Sequence, residues 1–170
     1  MGISTAPGAM TSEEIVALNR AHTLFSWSVQ SALAPIAIDH AEGIYLYTPE
    51  GQRIIDFNSQ LMSVNIGHGD RRVIDAIGAQ ATKLQYVQPA FATEIRARLG
   101  EKLAEIMPGD LDKVFFTLGG AEAIENALKL ARHYTGRYKV LARYRAYHGA
   151  TMGAMTLTGD PRRWANEPGL

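Results

Sequence analysis

The sequence predicts an α/β fold, in which a small antiparallel sheet precedes the start of a doubly wound, mainly parallel sheet. An apolar segment at 114–118 runs through two glycines into a helix, and a second apolar segment at 139–143 follows that helix. A strand, a crossover helix and a second strand form a right-handed parallel unit. Parallel sheets are built from several strands and are covered on both faces. Because only two such strands are recognisable, we expect the chain to contain an incomplete domain.

The N-terminal elements follow from capping residues and turn residues. Thr11 or Ser12 can cap a helix that extends to about residue 24, with Glu13 and Glu14 favourably placed in its first turn. Pro49 and Gly51 fit a β-turn between two short apolar segments. Three strands that form the small antiparallel sheet are expected over 36–40, 44–47 and 53–57.

Apolar residues at helical spacing predict the later elements. Helices are expected over 71–83, 93–107, 121–134 and 150–157. The third should bury one face, which carries Ile124, Ala127, Leu128, Ala131 and Tyr134. Glu125 and Lys129 should then form an ion pair on its solvent face. We expect a disordered leader over 1–10, an N-terminal segment with the small sheet over 11–60, and the beginning of a large domain over 61–170.

Composition excludes several classes of partner and site. Basic and acidic residues number 17 each, so nothing favours nucleic acid or an anionic membrane. The chain has no cysteine, no apolar run of about 18 residues and no secretory signal pattern, and we expect a cytoplasmic protein. The histidines lack the spacing of metal ligands, so no metal site is predicted.

The turn Gly119-Gly120 between strand and helix predicts an anion site. Glycines let the backbone turn sharply and approach a ligand closely. The first turn of the helix offers unpaired N–H groups and the positive end of the helix dipole, where a phosphate commonly binds. A second turn, Tyr147-His148-Gly149, follows the second predicted strand. Two such turns at one sheet edge indicate a flat, phosphorylated cofactor.

These segments resemble the class III aminotransferases, fold-type-I enzymes that use pyridoxal 5′-phosphate (PLP). The resemblance also covers the segments 41–47, 49–57, 64–70 and 76–81, in the family's order. It implies that Gly119, Gly120 and Ala121 hold the cofactor phosphate. It also implies that the ring of Tyr147 stacks on the pyridine, with His148 in the same motif.

The resemblance further implies a substrate pocket and a reaction. Phe25, Trp27, Met62 and Tyr86 resemble positions that line the pocket, and Met62 stands where relatives often carry an aromatic residue. The wording Thr117-Leu-Gly-Gly-Ala-Glu122 is similar to the pyruvate-linked ω-amino-acid and taurine transaminases. The implied substrates are a small amine and a keto acid such as pyruvate, and the intact enzyme is expected to be a homodimer.

The relatives are much longer than this chain. The lysine that carries their cofactor, and the carboxylate that pairs with the pyridine nitrogen, lie in the part that follows. The five lysines present are Lys83, Lys102, Lys113, Lys129 and Lys139, and their contexts predict solvated side chains. We therefore expect the chain alone to be inactive. Two alternatives stay open: a non-catalytic phosphate-binding or dimerisation module, and a glutamate-semialdehyde aminomutase relative.

Overall fold

The computed structural model describes Gly8 and residues 10–169. The chain divides into two compact units, one up to Gln88 and the other from Pro89. The predicted leader lies almost wholly outside the described residues. The predicted division at residue 60 concerns the domains of a complete enzyme and stays a prediction.

In its described residues the first unit contains two right-handed α-helices and a three-stranded sheet. Helix α1 is capped by Thr11, whose side chain accepts a hydrogen bond from the Glu14 N–H, while the Glu14 carboxylate accepts from the Thr11 N–H at 2.9 Å. The predicted cap and acidic first turn are thus confirmed. The elements are α1 (Ser12–His22), a 3-10 turn (Gln30–Ala32), β1 (His40–Glu42), β2 (Tyr45–Tyr47), β3 (Arg53–Ile55) and α2 (Arg71–Lys83).

The sheet is antiparallel in the order β1-β2-β3, as predicted. His40 pairs with Tyr47, and Tyr45 pairs with Ile55. The first strand was predicted over 36–40 but begins only at His40, the last residue of that range, and runs to Glu42. The reason is that paired residues of the β1–β2 hairpin begin at His40. The residue before it, Asp39, makes one bond to β2, from its N–H to the Tyr47 carbonyl at 2.8 Å.

A left-handed helical turn at Ser59–Met62 lies between β3 and α2, where the sequence predicted neither a helix nor a strand. Its four residues all have positive φ, between 48° and 62°, and none is glycine. A left-handed conformation costs an L-residue roughly 1–2 kcal/mol. Four in succession therefore require strong support from the surrounding chain.

Over residues 89–169 the second unit contains three α-helices. The predicted bounds are confirmed to within two residues, and Gly136 ends the longest helix in the left-handed conformation, with φ of 67°. The elements are α3 (Glu94–Ile106), α4 (Gly120–Thr135), α5 (Met152–Leu157) and a 3-10 segment (Pro161–Gly169).

The two parallel strands predicted at 114–118 and 139–143 are wrong for this structure. In the described part of the chain neither segment belongs to a sheet, and Leu118 and Leu141 are fully exposed. Apolar composition favours an extended backbone, but a strand also needs a neighbour that accepts and donates its ladder bonds. The two segments form no β-ladder with each other.

The predicted apolar stripes are largely uncovered. On α4 Leu128 is buried, Ile124 is half-buried, and Tyr134 is 93% exposed, so the predicted buried face is only partly formed. The buried hydrophobic residues among those described are Ala37, Leu128, Ala154 and Met155. None of the described helices is both long enough and apolar enough to cross a bilayer.

Candidate cofactor site

The first turn of α4 presents unpaired backbone donors. Gly119 is the N-cap residue in extended conformation, and no side chain caps this end of the helix. The first helical bond runs from the Ala123 N–H to the Gly119 carbonyl at 3.0 Å. An α-helix leaves the N–H groups before that bond without an intrahelical partner. Those of Gly120, Ala121 and Glu122 therefore point out of the helix at the positive end of its dipole.

The Glu122 side chain turns back toward the preceding segment. Its carboxylate accepts a hydrogen bond from the Leu118 N–H at 2.9 Å. A carboxylate aimed at a bound phosphate would weaken binding, because like charges repel. The bond instead gives the carboxylate a backbone partner at the helix N-terminus, where negative charge is favourable.

Gly149 brings the Tyr147-His148-Gly149 turn against the start of α4. A Cβ at Gly149 would lie 2.6 Å from the Ala121 Cβ and 2.8 Å from the Ala121 Cα, and Gly149 has a φ of 136°. Only glycine fits this approach and this backbone conformation. The structure thus joins the two turns that the sequence predicted to share a site.

The segment 158–159 anchors the aromatic turn. The His148 N–H donates to the Thr158 hydroxyl at 3.2 Å, and Thr158 is fully buried. The Gly159 N–H donates to the Ala146 carbonyl at 2.9 Å. His148 itself is half-buried and is held through its backbone. These bonds fix the backbone that carries Tyr147.

Glu125 ties α4 to α5. Its carboxylate accepts from the Gly153 N–H at 2.7 Å and the Ala154 N–H at 3.1 Å. Hydrogen bonds from the Thr151 hydroxyl, and then from these backbone groups, hold the pKa of Glu125 below its ordinary value. The predicted surface pair of Glu125 with Lys129 is therefore wrong, because the carboxylate caps α5 instead.

Sequence reasoning missed this role of Glu125. The available signal was weak: Glu125 adjoins Ile124 on the side of α4 that also carries Leu128. An acidic residue at the border of an apolar face can serve as a cap for another helix. The partner, however, lies 28 residues away along the chain.

Arg162, also missed, lies against one face of Tyr147. Its guanidinium carbon is 4.2 Å from the ring centroid, a cation–π geometry. Asp160 fixes the guanidinium through an Nε–Oδ1 contact of 2.6 Å, which holds the pKa of Asp160 below its ordinary value. The Tyr147 side chain is 39% exposed. Tyr147 is therefore a surface residue whose ring is held by Arg162, and it is not part of a hydrophobic core.

The four residues predicted to line a substrate pocket all belong to the first unit. Phe25 is half-buried, while Trp27, Met62 and Tyr86 are 67%, 75% and 78% exposed. Phe25 and Trp27 share one stretch of chain, Met62 and Tyr86 lie on two others, and the meeting of all four in one pocket stays a prediction. Trp27 has a φ of 58° and Met62 a φ of 62°, so two of the four side chains project from left-handed backbone.

Asp56 supports the turn that carries Met62. Its Oδ2 lies 2.7 Å from the Nε2 of His68, and its Oδ1 accepts from the Gln60 N–H at 3.1 Å. The Asp56 and His68 side chains are 3% and 15% exposed. The bond from His68 is the main reason that the pKa of Asp56 lies below its ordinary value. Sequence reasoning assigned no role to this pair.

The lysines behave as predicted. All five are exposed, and Lys102 and Lys113 contact Glu105 and Asp112 at 2.6 Å and 3.3 Å. Within the described residues no group of three or more histidine and acidic side chains is arranged to hold a metal ion.

Comparison with known proteins gives a consistent assignment. The chain is 40% identical to the taurine:2-oxoglutarate aminotransferase of Bifidobacterium kashiwanohense, whose structure contains PLP and glutamate, with a TM-score of 0.89 over 94% of this chain. It is 37% identical to an (S)-enantioselective omega-transaminase of Thermomicrobium roseum, with a TM-score of 0.85 over 91% of this chain. It is also 39% identical over 74% of its length to an isoleucine 2-epimerase of Lentilactobacillus buchneri.

The chain spans about a third of these proteins: 36% and 37% of the two structures and 28% of the epimerase. The structural matches confirm the predicted α/β fold of fold-type-I PLP enzymes. The family description for class-III aminotransferases matches residues 26–167. The chain therefore belongs to the class-III aminotransferases, a PLP-dependent family.

Proposed function

We propose that this chain is the N-terminal part of a PLP-dependent aminotransferase that transfers an amino group from an ω-amino acid or amine to a keto acid. The observation that carries the proposal is the joining of the α4 N-terminus to the aromatic turn through Gly149 and Ala121. That junction puts phosphate donors and an aromatic ring on one rigid piece of chain.

The residues present fit PLP. The unpaired N–H groups of Gly120 and Ala121 would bind the phosphate, aided by the helix dipole. The pyridine ring would stack on the ring of Tyr147, which Arg162 supports through its cation–π contact. Glycine at 149 and alanine at 121 keep this junction free of bulky side chains, and His148 would act through its fixed backbone.

The cofactor, when bound, supplies the electron sink for amino-group transfer, and the protein supplies orientation. In this chain the α4 N-terminus would fix one end of the cofactor and Tyr147 its ring plane. Thr158 would hold the aromatic turn through the His148 N–H, and Glu125 would fix α5 against α4, so the cradle would be formed before the cofactor binds. Such preorganisation lowers the ordering that binding must impose.

The amino donor and acceptor are also part of the proposal. The likeness to taurine and omega transaminases supports a donor that is not an α-amino acid: either its amino group is distant from the acid group, or it has no carboxylate. Pyruvate is the proposed acceptor; 2-oxoglutarate, named for the Bifidobacterium enzyme, is the direct competitor. Phe25, Trp27, Met62 and Tyr86 are the proposed pocket residues. Homodimer formation and a cytoplasmic location complete the proposal.

The test uses the complete enzyme that contains this chain, loaded with PLP. Taurine, β-alanine and 1-phenylethylamine are offered as donors, each with pyruvate and with 2-oxoglutarate. Turnover with at least one ω-donor and pyruvate supports the proposal. Turnover with 2-oxoglutarate alone would correct the acceptor, and racemisation of an α-amino acid without transfer would reject transamination.

Isoleucine 2-epimerase is a second candidate activity, because one 39%-identical relative carries that name. A further reaction with isoleucine and no keto acid separates it, since an epimerase needs no keto acid. If the chain belongs to a non-catalytic module, no reaction is expected. If it belongs to an aminomutase relative, the amino group is expected to move within a single substrate.

A further inference from the structure

The left-handed turn Ser59–Met62 is supported by one buried side chain. The Asp56 carboxylate accepts from the Gln60 N–H at 3.1 Å, inside the turn, and from His68 Nε2 at 2.7 Å, outside it. Non-glycine residues held in disfavoured conformations persist only where the surroundings determine them, and such residues concentrate at functional sites. Asp56 is therefore the link between the turn and its support.

The support is the sheet. The His68 N–H donates to the Gly43 carbonyl at 2.7 Å, and the Gly43 N–H donates to the His68 carbonyl at 2.9 Å. The Asp56 N–H donates to the Ile44 carbonyl at 2.9 Å. Both members of the pair are thus fixed by backbone bonds to the turn between β1 and β2.

The turn presents apolar side chains. Leu61 and Met62 are 58% and 75% exposed, although their backbone is firmly bonded: the Met62 N–H donates to the Asn58 carbonyl at 2.9 Å, and the Ser63 N–H to the Ser59 carbonyl at 2.8 Å. A rigid backbone with projecting apolar side chains suits a surface that must keep a defined shape.

We propose that Asp56 and His68 are positioning residues for substrate selectivity, which hold the left-handed turn so that Leu61 and Met62 shape the amine pocket. The inference rests on the proposed function, since it concerns selectivity among amine donors. Neither residue touches substrate; both act through the backbone of Gln60 and its neighbours.

The test compares Asp56→Asn with Asp39→Asn in the complete enzyme. The control is matched, because Asp39 also lies 2.7 Å from a histidine, His40, but both of those side chains are about 60% exposed. Hydrogen exchange is followed on a peptide covering 57–64 and on one covering α2. We expect Asp56→Asn to speed exchange of the turn roughly tenfold with little effect on α2, and Asp39→Asn to change neither.

Selectivity is measured as the ratio of kcat/KM for a small and a bulky amine. Asp56→Asn should shift this ratio roughly tenfold, because small misplacements at a reacting site have large effects. In a double-mutant cycle its effect should not add to that of Met62→Ala. His68→Gln, which keeps a side-chain N–H donor, should restore most of the ratio relative to His68→Phe.

Each unfavourable outcome has a distinct meaning. If exchange of the turn is unchanged in Asp56→Asn, the pair does not hold the turn, and the inference is rejected. If exchange rises but the ratio stays the same, the turn does not govern selectivity, and the inference is also rejected. If the unmodified enzyme transfers no amine, the proposed function fails, while the exchange data still report whether Asp56 holds the turn.

Discussion

Gly149 packs against Ala121 so closely that even one methyl group at position 149 would overlap the first turn of α4. A Cβ at that position would lie 2.6 Å from the Ala121 Cβ and 2.8 Å from its Cα. Two segments almost thirty residues apart are thereby made into one structural piece. The phosphate donors and Tyr147 cannot move independently while this contact holds.

Gly149→Ala should destabilise the complete enzyme. Overpacking costs about 1–3 kcal/mol, and the positive φ at Gly149 adds strain. Thermal melting of the cofactor-free protein measures the effect. Gly119→Ala is the control, because a Cβ there meets nothing within 4 Å. Equal melting temperatures for the two variants would show that the contact is not tight.

Glu125→Leu should lower stability more than Glu125→Gln, since glutamine keeps one oxygen that can accept from Gly153 or Ala154. For Glu125→Leu we expect the free energy of unfolding to fall by roughly 1–2 kcal/mol. This is less than the energy of two full charge-assisted hydrogen bonds, because Glu125 is only half-buried. Lys129→Ala should have almost no effect. A larger loss of stability for Lys129→Ala than for Glu125→Leu would favour the surface ion pair of Glu125 with Lys129 and contradict the capping role.

The contribution of Glu125 should also depend on pH. Its pKa is lowered in the folded state, so its stabilising effect is present above the ordinary pKa and is lost as the pH falls through the folded-state value. The difference in melting temperature between the unmodified enzyme and Glu125→Gln should therefore shrink below about pH 4. A difference that grows on acidification contradicts this sign.

Tyr147→Ala should weaken PLP binding without unfolding the protein. Aromatic pairing is worth about 0.5–1.5 kcal/mol beyond buried area, which corresponds to a roughly two- to twelvefold rise in Kd. Tyr147→Phe should bind almost normally, because the stacking face survives. Cofactor titration and melting of the cofactor-free protein are measured together; a large loss of stability with unchanged Kd would make Tyr147 a packing residue.

The 170-residue chain on its own should have no transaminase activity. Its five lysines are exposed, and imine chemistry at neutral pH needs a lysine whose pKa is lowered by burial or by neighbouring charge. The check combines the pyruvate-coupled assay with borohydride reduction in the presence of PLP. Turnover together with a stoichiometric pyridoxyl adduct on one lysine would overturn this expectation.

Local sequence signals predict the helices and the sheet well. The helix cap at Thr11 and the turn at Pro49 and Gly51 depend on residues within a few positions, and each is in place. The prediction of two parallel strands is wrong because ladder bonds depend on distant neighbours. The backbone at 114–118 carries the apolar residues of a strand but has no partner strand in the described part of the chain.

The candidate site can be predicted from the sequence only where its signal lies in neighbouring residues. Gly119 and Gly120 are recognisable from the strand–glycine–helix order, and the motif at Tyr147 from its resemblance. Glu125, Arg162 and the Asp56–His68 pair act across 28, 15 and 12 positions. A single sequence contains no spacing rule for such contacts, since the fold alone determines which residues meet.

The central claim is that the α4 N-terminus binds the cofactor phosphate. The most direct test measures, in the variant Gly120→Pro, the Kd of PLP and the Kd of pyridoxal, which lacks the phosphate. Proline at the first helical position removes one N–H and otherwise fits, and the extended Gly119 before it is compatible with proline. The ratio of the pyridoxal Kd to the PLP Kd should fall roughly tenfold or more in the complete enzyme, since one charge-assisted bond is lost. An unaltered ratio in Gly120→Pro, with normal melting of the cofactor-free protein, would contradict the claim.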